Sequence, residues 1–301
     1  MLDIDKLNSL IARMEGLLGE MKELARERAV APPTHFDKLK ELLRSTDWPV
    51  AVNQNLIADP DSESDRVSRA NGILDFVVKK NVAGLKLLDF GCGDGYCPRV
   101  ACDRGAALSV GYDVKEDPTW DNSRPKAHLT TDFGFVKENG PYDVVVLFDV
   151  IDHVGNGAAK KILSSAKSVL APGGQMFLRC HPFTSRHATH LYRKINKAYL
   201  HLVFTPAELA ELVPDGDHGQ GLKVVTPIKL YNELLAAAGL KIVRRKDFTE
   251  KVEPFFQNTK LVRDRILATT GMKRFPEFQM SVQFIDYVLS AEPHDGPQPV
   301  T

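Results

Sequence analysis

The chain contains no apolar run approaching the roughly 18 to 20 residues that a membrane-spanning helix requires. Its Met1-Leu2-Asp3 start has neither the basic nor the apolar region of a secretory signal. A cytoplasmic chain with no membrane partner is the expectation. Neither charge is in excess: 39 lysines and arginines face 39 aspartates and glutamates in 301 residues. No global field therefore recruits nucleic acid or a lipid surface, and any charged patch has to be local. Cysteine is scarce, and Cys92, Cys97, Cys102 and Cys180 form none of the close C-x-x-C pairs of zinc sites. Free, buried thiols are expected instead. No internal repeat is visible, and the length suits one large domain with additions.

Within residues 1–30, Leu7, Leu10, Met14, Leu17, Met21 and Leu24 recur at steps of three and four, which marks one seam of an amphipathic helix. The seam suits either a short coiled coil that joins copies into a homo-oligomer or an arm lying on its own domain. Ala31-Pro32-Pro33 ends it. Residues 31–63 read as a linker with a short helix from His35 to Ser45, and no motif is interpretable from Ala31 to Pro60. A helix from Ser64 to Lys80 is expected to carry Val67, Ile73, Leu74, Phe76 and Val77 toward a core. Thereafter, Leu85 to Phe90, Leu108 to Asp113, Tyr142 to Phe148, Gln175 to Cys180 and Leu240 to Arg245 are short apolar or β-branched runs separated by helix-length segments. This spacing predicts an α/β fold over residues 64–291, a doubly wound, mostly parallel sheet covered on both faces. Phe278 to Ala291 adds a long strand, expected antiparallel at the sheet edge, and the proline-rich tail 292–301 reads as disordered.

The most informative stretch is Leu87-Leu88-Asp89-Phe90-Gly91-Cys92-Gly93-Asp94-Gly95, an apolar strand that ends in an acid and three alternating glycines. Such a turn brings backbone N–H groups close to a ligand. The dinucleotide fingerprint requires glycine where Tyr96 stands, which disfavours a nicotinamide enzyme. Asp113 closes the next strand about 24 residues after Asp89, near the spacing of a ribose-binding acid. Asp-x-Gly-x-Gly-x-Gly closely resembles the first motif of class I S-adenosylmethionine-dependent methyltransferases. Element order extends the likeness over about Ser64 to Ala291, for a Rossmann-like, seven-stranded sheet. The resemblance implies S-adenosylmethionine as cofactor. It places Asp89 near the methionine amino group and Gly91, Gly93 and Gly95 beneath the ligand. It sets Asp132 at the adenine amino group, with Phe133 covering the ring.

The fourth strand, Tyr142 to Phe148, leads into Asp149-Val150-Ile151-Asp152-His153. Ligands of open parallel sheets sit beyond the strands' carboxyl ends near the switch in strand order, so Asp149 belongs beside the cofactor. Asp149-x-x-Asp152-His153 has two readings. In many small-molecule methyltransferases a similar acid-x-x-acid-His run shapes the cofactor pocket or assists a proton transfer, which makes Asp149 and His153 the catalytic candidates and needs no metal. The run also resembles the Glu-x-x-Glu-His element of enzymes that methylate the 2′-hydroxyl at the 3′ end of small RNAs. That version implies a divalent metal on Asp149, Asp152, His153 and His201, with His181 as second choice for the last. Such a donor set suits manganese, iron or zinc better than magnesium.

From Arg179 to Pro206 the chain carries Arg179, Arg186, Arg193, Lys194 and Lys197 with His181, His187, His190 and His201, and no acid. This is either a solvated helix or a local positive field on the acceptor side. Tyr192 and Tyr199 add stacking surface. Arg179, His181, Arg186, His187 and His190 are the candidate substrate contacts. The leading expectation is methyl transfer to oxygen or nitrogen of a phosphate-bearing acceptor such as nucleic acid or a nucleotide. The alternatives are a small-metabolite methyltransferase with the basic segment as a lid, and a non-catalytic scaffold subunit. Intact glycines with Asp113 argue against the scaffold.

Overall fold

The computed structural model describes residues 35–52, 62–188, 190–214 and 228–291. The leucine seam of residues 1–30 and the tail 292–301 lie outside these. The chain divides into two compact units, 1–45 and 46–301. In the first, helix α1 (His35–Arg44) buries Leu39 and Leu43.

The second unit opens with α2 (Glu63–Gly72), capped by the Ser62 side chain, which accepts from the Asp65 N–H. There follow β1 (Lys86–Phe90), α3 (Tyr96–Asp103), β2 (Leu108–Tyr112), β3 (Ala127–Thr130), α4 (Phe133–Asn139), β4 (Tyr142–Phe148), α5 (Asn156–Ser168) and β5 (Leu170–Cys180). Beyond these lie α6 (Leu200–Val203), α7 (Pro206–Leu212), α8 (Ile228–Ala237), β6 (Lys241–Thr249), α9 (Pro254–Asn258), α10 (Lys260–Thr270), α11 (Glu277–Ser281) and β7 (Val282–Ser290). The seven strands form one sheet in the order β3-β2-β1-β4-β5-β7-β6. Strands β1 to β5 pair in parallel, whereas β7 runs antiparallel to both β5 and β6 and lies one place in from the edge.

The near-continuous apolar runs follow from burial on both faces. One face packs Leu88, Val145, Leu147 and Leu178 against Leu163 and Ala166 of α5 and Leu235 of α8. The other packs Leu87, Val144, Val146 and Phe177 against Ala70 of α2 and Val100 of α3. Strand β1 has β2 on one side and β4 on the other, so the strand order reverses direction there and a crevice opens beyond the carboxyl ends of β1 and β4.

The helix expected through Lys80 changes character at Ile73. Residues Ile73–Val78 form a π-helical turn, closed by the Lys79 N–H on the Leu74 carbonyl at 2.9 Å. The wider turn alters the angular step between residues. Ile73, Leu74 and Val77 are buried as expected, but Phe76 is turned out, 68% exposed. The stretch without a readable motif also has a clear role. Trp48 is buried against Phe204, Phe255 and Phe256, and its indole N–H donates to the Ala198 carbonyl at 3.0 Å. It anchors this segment to the additions after β5 and β6.

Gly111, in the middle of β2, has no room for a methyl group. An added Cβ would stand 2.6 Å from Leu129 Cδ2 and 2.9 Å from both Cys92 Sγ and Pro98 Cγ. Gly111→Ala is expected to destabilise the protein by about 2 to 3 kcal/mol through overpacking. A urea titration against wild type measures this, and a shift below about 0.5 kcal/mol would contradict the packing described.

Candidate functional site

The glycine turn lies at the carboxyl end of β1. Gly91 has φ +89°, and a Cβ there would meet Val150 Cγ2 at 2.5 Å. Only glycine lets this turn adopt that conformation and lie flush against the loop after β4. Gly93 has φ +51° with nothing within 4 Å of the Cβ position, so its backbone borders open space. Gly95 is the residue before α3. The N–H groups of Gly91 and Cys92 both donate to the Tyr112 carbonyl, at 2.7 and 3.1 Å, which ties the turn to the end of β2.

Asp113 strengthens that tie. One carboxylate oxygen accepts from the Gly93 N–H at 3.0 Å and the other from the Val114 N–H at 2.7 Å. Each oxygen keeps capacity for a further donor, because an ionised carboxylate offers about four acceptor sites. Two contacts have no counterpart in the sequence reading. The Trp120 indole N–H donates to the Gly93 carbonyl at 2.7 Å, and the Thr119 hydroxyl to the Asp94 carbonyl at 3.1 Å. The loop after β2 therefore holds the turn from outside. One of only two tryptophans, placed in a loop seven residues after Asp113, was the available signal.

Beside the turn is a cavity of about 280 Å³, lined among others by Arg69, Asp89, Gly91, Gly93, Cys97 and Phe148. Asp89 is 5% exposed. Burial, reinforced by the charges of Asp94 and Asp113, pushes its carboxyl up to about 7. It is a buried acid whose charge is poorly compensated, and an ammonium group in the cavity would neutralise it. Arg69, exposed on α2 and also lining the cavity, is suited to a carboxylate. Sequence reading missed it because α2 precedes the motif and nothing local marks one arginine among several.

A carboxyl group whose folded value lies above its ordinary one stabilises the fold fully at low pH. That contribution is lost as the pH rises through the folded value. Without ligand, stability is therefore expected to fall between about pH 4 and pH 7. Asp89→Asn should remove this slope and stabilise the ligand-free protein at about pH 8 by about 1 to 2 kcal/mol. Its cofactor affinity should drop about tenfold. Denaturation and calorimetry on the same samples check both halves, and parallel changes in the two would contradict the assignment.

Asp132 is exposed and serves as the N-cap of α4, where its side chain accepts from the Gly134 N–H at 2.7 Å. Phe133 is half-buried and packs edge-on against Phe90 and Tyr112, at 5.9 and 5.4 Å between centroids. Both stand beyond the ends of β2 and β3, on the side of Asp113.

A second polar group gathers where β4 and β5 end. Asp149 adopts φ +55°, uncommon for a residue with a side chain. His181 Nε2 lies 3.3 Å from Asp149 Oδ1, within ion-pairing reach, at an angle that leaves this oxygen without a hydrogen bond. The histidine is pinned elsewhere. Its Nδ1–H donates to the Gln283 carbonyl at 3.0 Å, its backbone N–H to Asp152 Oδ2 at 3.0 Å, and its carbonyl accepts from the Tyr231 hydroxyl at 2.9 Å. Burial opposes the imidazolium, but Asp149 and Asp152 outweigh it and raise His181 to about 9. Burial also opposes ionisation of Asp149, and His181 overrides it, holding that carboxyl below its usual range. Burial and the neighbouring Asp149 push Asp152 up to about 6.

This arrangement differs from the metal set of the alternative reading. Ligand atoms of Asp149, Asp152 and His181 lie within 4.8 Å of one another, whereas His153 and His201 are not in that group. His153 is exposed on a 3-10 turn. His201 is buried, donates from Nε2 to the Phe183 carbonyl at 2.6 Å, and is lowered to about 4 by burial. It is a neutral core histidine. His181, the second choice, is the ring that meets the acids.

Two of the five cations of the basic segment are paired with acids. Arg179 makes a two-pronged pair with Asp286 at 2.6 and 2.8 Å. Arg186 bonds Glu253 and the Val50 carbonyl. Lys197 donates to the Trp48 carbonyl at 3.0 Å. His187 is half-buried against His181 and Tyr192, and burial together with the charge of His181 lowers it to about 4. The side chain of His190 lies outside the described residues. The acids paired with Arg179 and Arg186 come from β7 and the stretch before α9, remote in sequence.

Known proteins bear on this geometry. The methyltransferase-domain family model matches residues 63–244. Ubiquinone biosynthesis O-methyltransferase of Neisseria meningitidis serogroup C is 27% identical over 183 residues, covering 57% of this chain and 70% of that protein. The Vibrio parahaemolyticus protein of the same name is 26% identical over 188 residues, covering 59% and 70%. A solved methyltransferase from Archaeoglobus fulgidus superposes with TM-score 0.46 and 16% identity over 74% of this chain and 93% of that one. Among the described residues no helix is long and apolar enough to cross a membrane. With the family match spanning more than half of its length, the chain belongs to the class I S-adenosylmethionine-dependent methyltransferases.

Proposed function

We propose that this enzyme methylates a hydroxyl of a small, weakly acidic acceptor, with Asp149 and His181 as its catalytic pair. The observation that carries the proposal is their ion pair at the ends of β4 and β5, in a loop whose Val150 abuts the glycine turn. S-adenosylmethionine supplies a methyl group on a sulfonium, open to in-line displacement by the acceptor oxygen. The cavity suits its amino-acid end: Asp89 would hold the ammonium and Arg69 the carboxylate. Asp113 would hold the ribose hydroxyls, and Phe133 with Asp132 would border the adenine.

His181, protonated at neutral pH, donates a hydrogen bond to the acceptor oxygen and favours its ionised form. The acceptor proton leaves to solvent, the oxygen–carbon bond forms and the carbon–sulfur bond breaks. Asp149 keeps His181 cationic. Asp149, Asp152 and His181 are read as one charge-coupled group, in which both carboxylates favour the imidazolium. The names of the relatives support oxygen as the acceptor atom. The phosphate-bearing acceptor expected from the basic segment has less support, since Arg179 and Arg186 are already paired with acids.

The test offers radiolabelled methyl donor with simple phenols and alcohols, a metabolite extract, nucleotides and RNA. Label in small hydroxyl compounds is expected. Label confined to nucleotides or RNA would contradict the proposal.

A further inference from the structure

Between the cofactor cavity and His181 the sheet presents an unusual strip. The Arg179 guanidinium lies 5.3 Å from the ring centre of Phe148, 5.4 Å from Phe248 and 4.1 Å from Phe284. Phe248 and Phe284 are stacked, with centroids 4.3 Å apart and planes 24° off parallel. All three rings are half-buried, and the Arg179 charge is matched by Asp286. The strip is continuous with both halves of the reaction. Phe148 also lines the cofactor cavity, and Phe284 meets the His181 ring edge-on at 5.9 Å.

A hydrophobic core does not require an arginine among three half-exposed rings, and a phosphate site would not spend its arginine on an aspartate. We propose that Phe148, Arg179, Phe248 and Phe284 form the acceptor platform, and that it selects a planar aromatic hydroxyl compound without phosphate. A flat ring gains by offset stacking on neighbouring rings and on the guanidinium plane, which a puckered ring of the same size cannot match. A ring lying on Phe284 has its edge next to His181, which the hydroxyl would meet there. The inference rests on the hydroxyl chemistry proposed above for the direction in which the ring is turned.

The test is calorimetric, on the full chain saturated with S-adenosylhomocysteine, so that binding is read without turnover. The probes are 2-naphthol and its saturated analogue decahydro-2-naphthol. Wild type is expected to bind 2-naphthol at least about fivefold more tightly than the analogue. Phe284→Leu should weaken 2-naphthol about three- to tenfold while leaving S-adenosylhomocysteine and the analogue unchanged. Phe248→Leu, on the edge strand, is the second variant should Phe284→Leu unfold. Equal binding of the two probes, no binding of 2-naphthol, or equal weakening of both would overturn the platform. Methyl transfer to saturated alcohols with no aromatic preference would remove the platform and leave the hydroxyl chemistry standing. Bound 2-naphthol with no hydroxyl methylated under turnover conditions would do the reverse.

Discussion

Asp149→Asn should lower kcat by about two to three orders of magnitude, a loss on the scale of removing a preorganised electrostatic contact, while cofactor affinity changes by no more than a few-fold. Asparagine has the shape of aspartate and tolerates the left-handed backbone conformation found here, φ +55°, so the fold should survive. What is lost is a charge. Burial alone depresses His181, and the carboxylates of Asp149 and Asp152 lift it to about 9. Without the first of these the ring should titrate at lower pH and be less fully protonated at working pH. The pH profile then distinguishes this role from a structural one. Wild-type activity is expected to decline as the pH rises through about 9, and in the variant that alkaline limb should move to lower pH. Rate–pH profiles of both proteins decide it, and a variant with a reduced rate but an unmoved limb would contradict the role given to His181.

Asp113→Ala should weaken S-adenosylhomocysteine binding about 100-fold, the equivalent of two hydrogen bonds to a charged group. The loss has two sources. A ribose loses its acceptor, and the Gly93 N–H, held by this carboxylate at 3.0 Å, is released from the turn. Asp113→Asn separates them: the carboxamide keeps one acceptor oxygen and should recover part of the affinity. Calorimetric affinities within threefold of wild type for the alanine variant would contradict this account of the crevice.

Parts of this picture were legible in the residues because their physics is local. An apolar strand, an acid and alternating glycines specify a turn by backbone sterics alone, and the strand-end position of Asp113 follows from period and spacing. Six of the seven strands could be placed as short apolar or β-branched runs, the central ones because burial on both faces leaves them continuously apolar, whereas the four-residue β3 was too short to stand out. Long-range charge pairing was not legible. Arg179 and Arg186 read as free cations because Asp286 and Glu253 lie 107 and 67 residues away in sequence, and no local pattern announces that match. The partner of the acids was likewise misread in part. His153 follows Asp152 directly and invited assignment, yet the 3-10 turn points it outward, and the end of β5 supplies His181 instead. The π-helical turn that exposes Phe76 and the loop that brings Trp120 onto Gly93 are tertiary outcomes of the same kind.

The most direct test of the central claim, that the methyl donor rests on the glycine turn between β1 and β2, is amide hydrogen exchange of the wild-type protein with and without S-adenosylhomocysteine. Exchange should slow at residues 91–95 and at Val114, with little change along β6 and β7. Saturating ligand that leaves those amides unprotected, or protects a different surface, would show that the cofactor lies elsewhere.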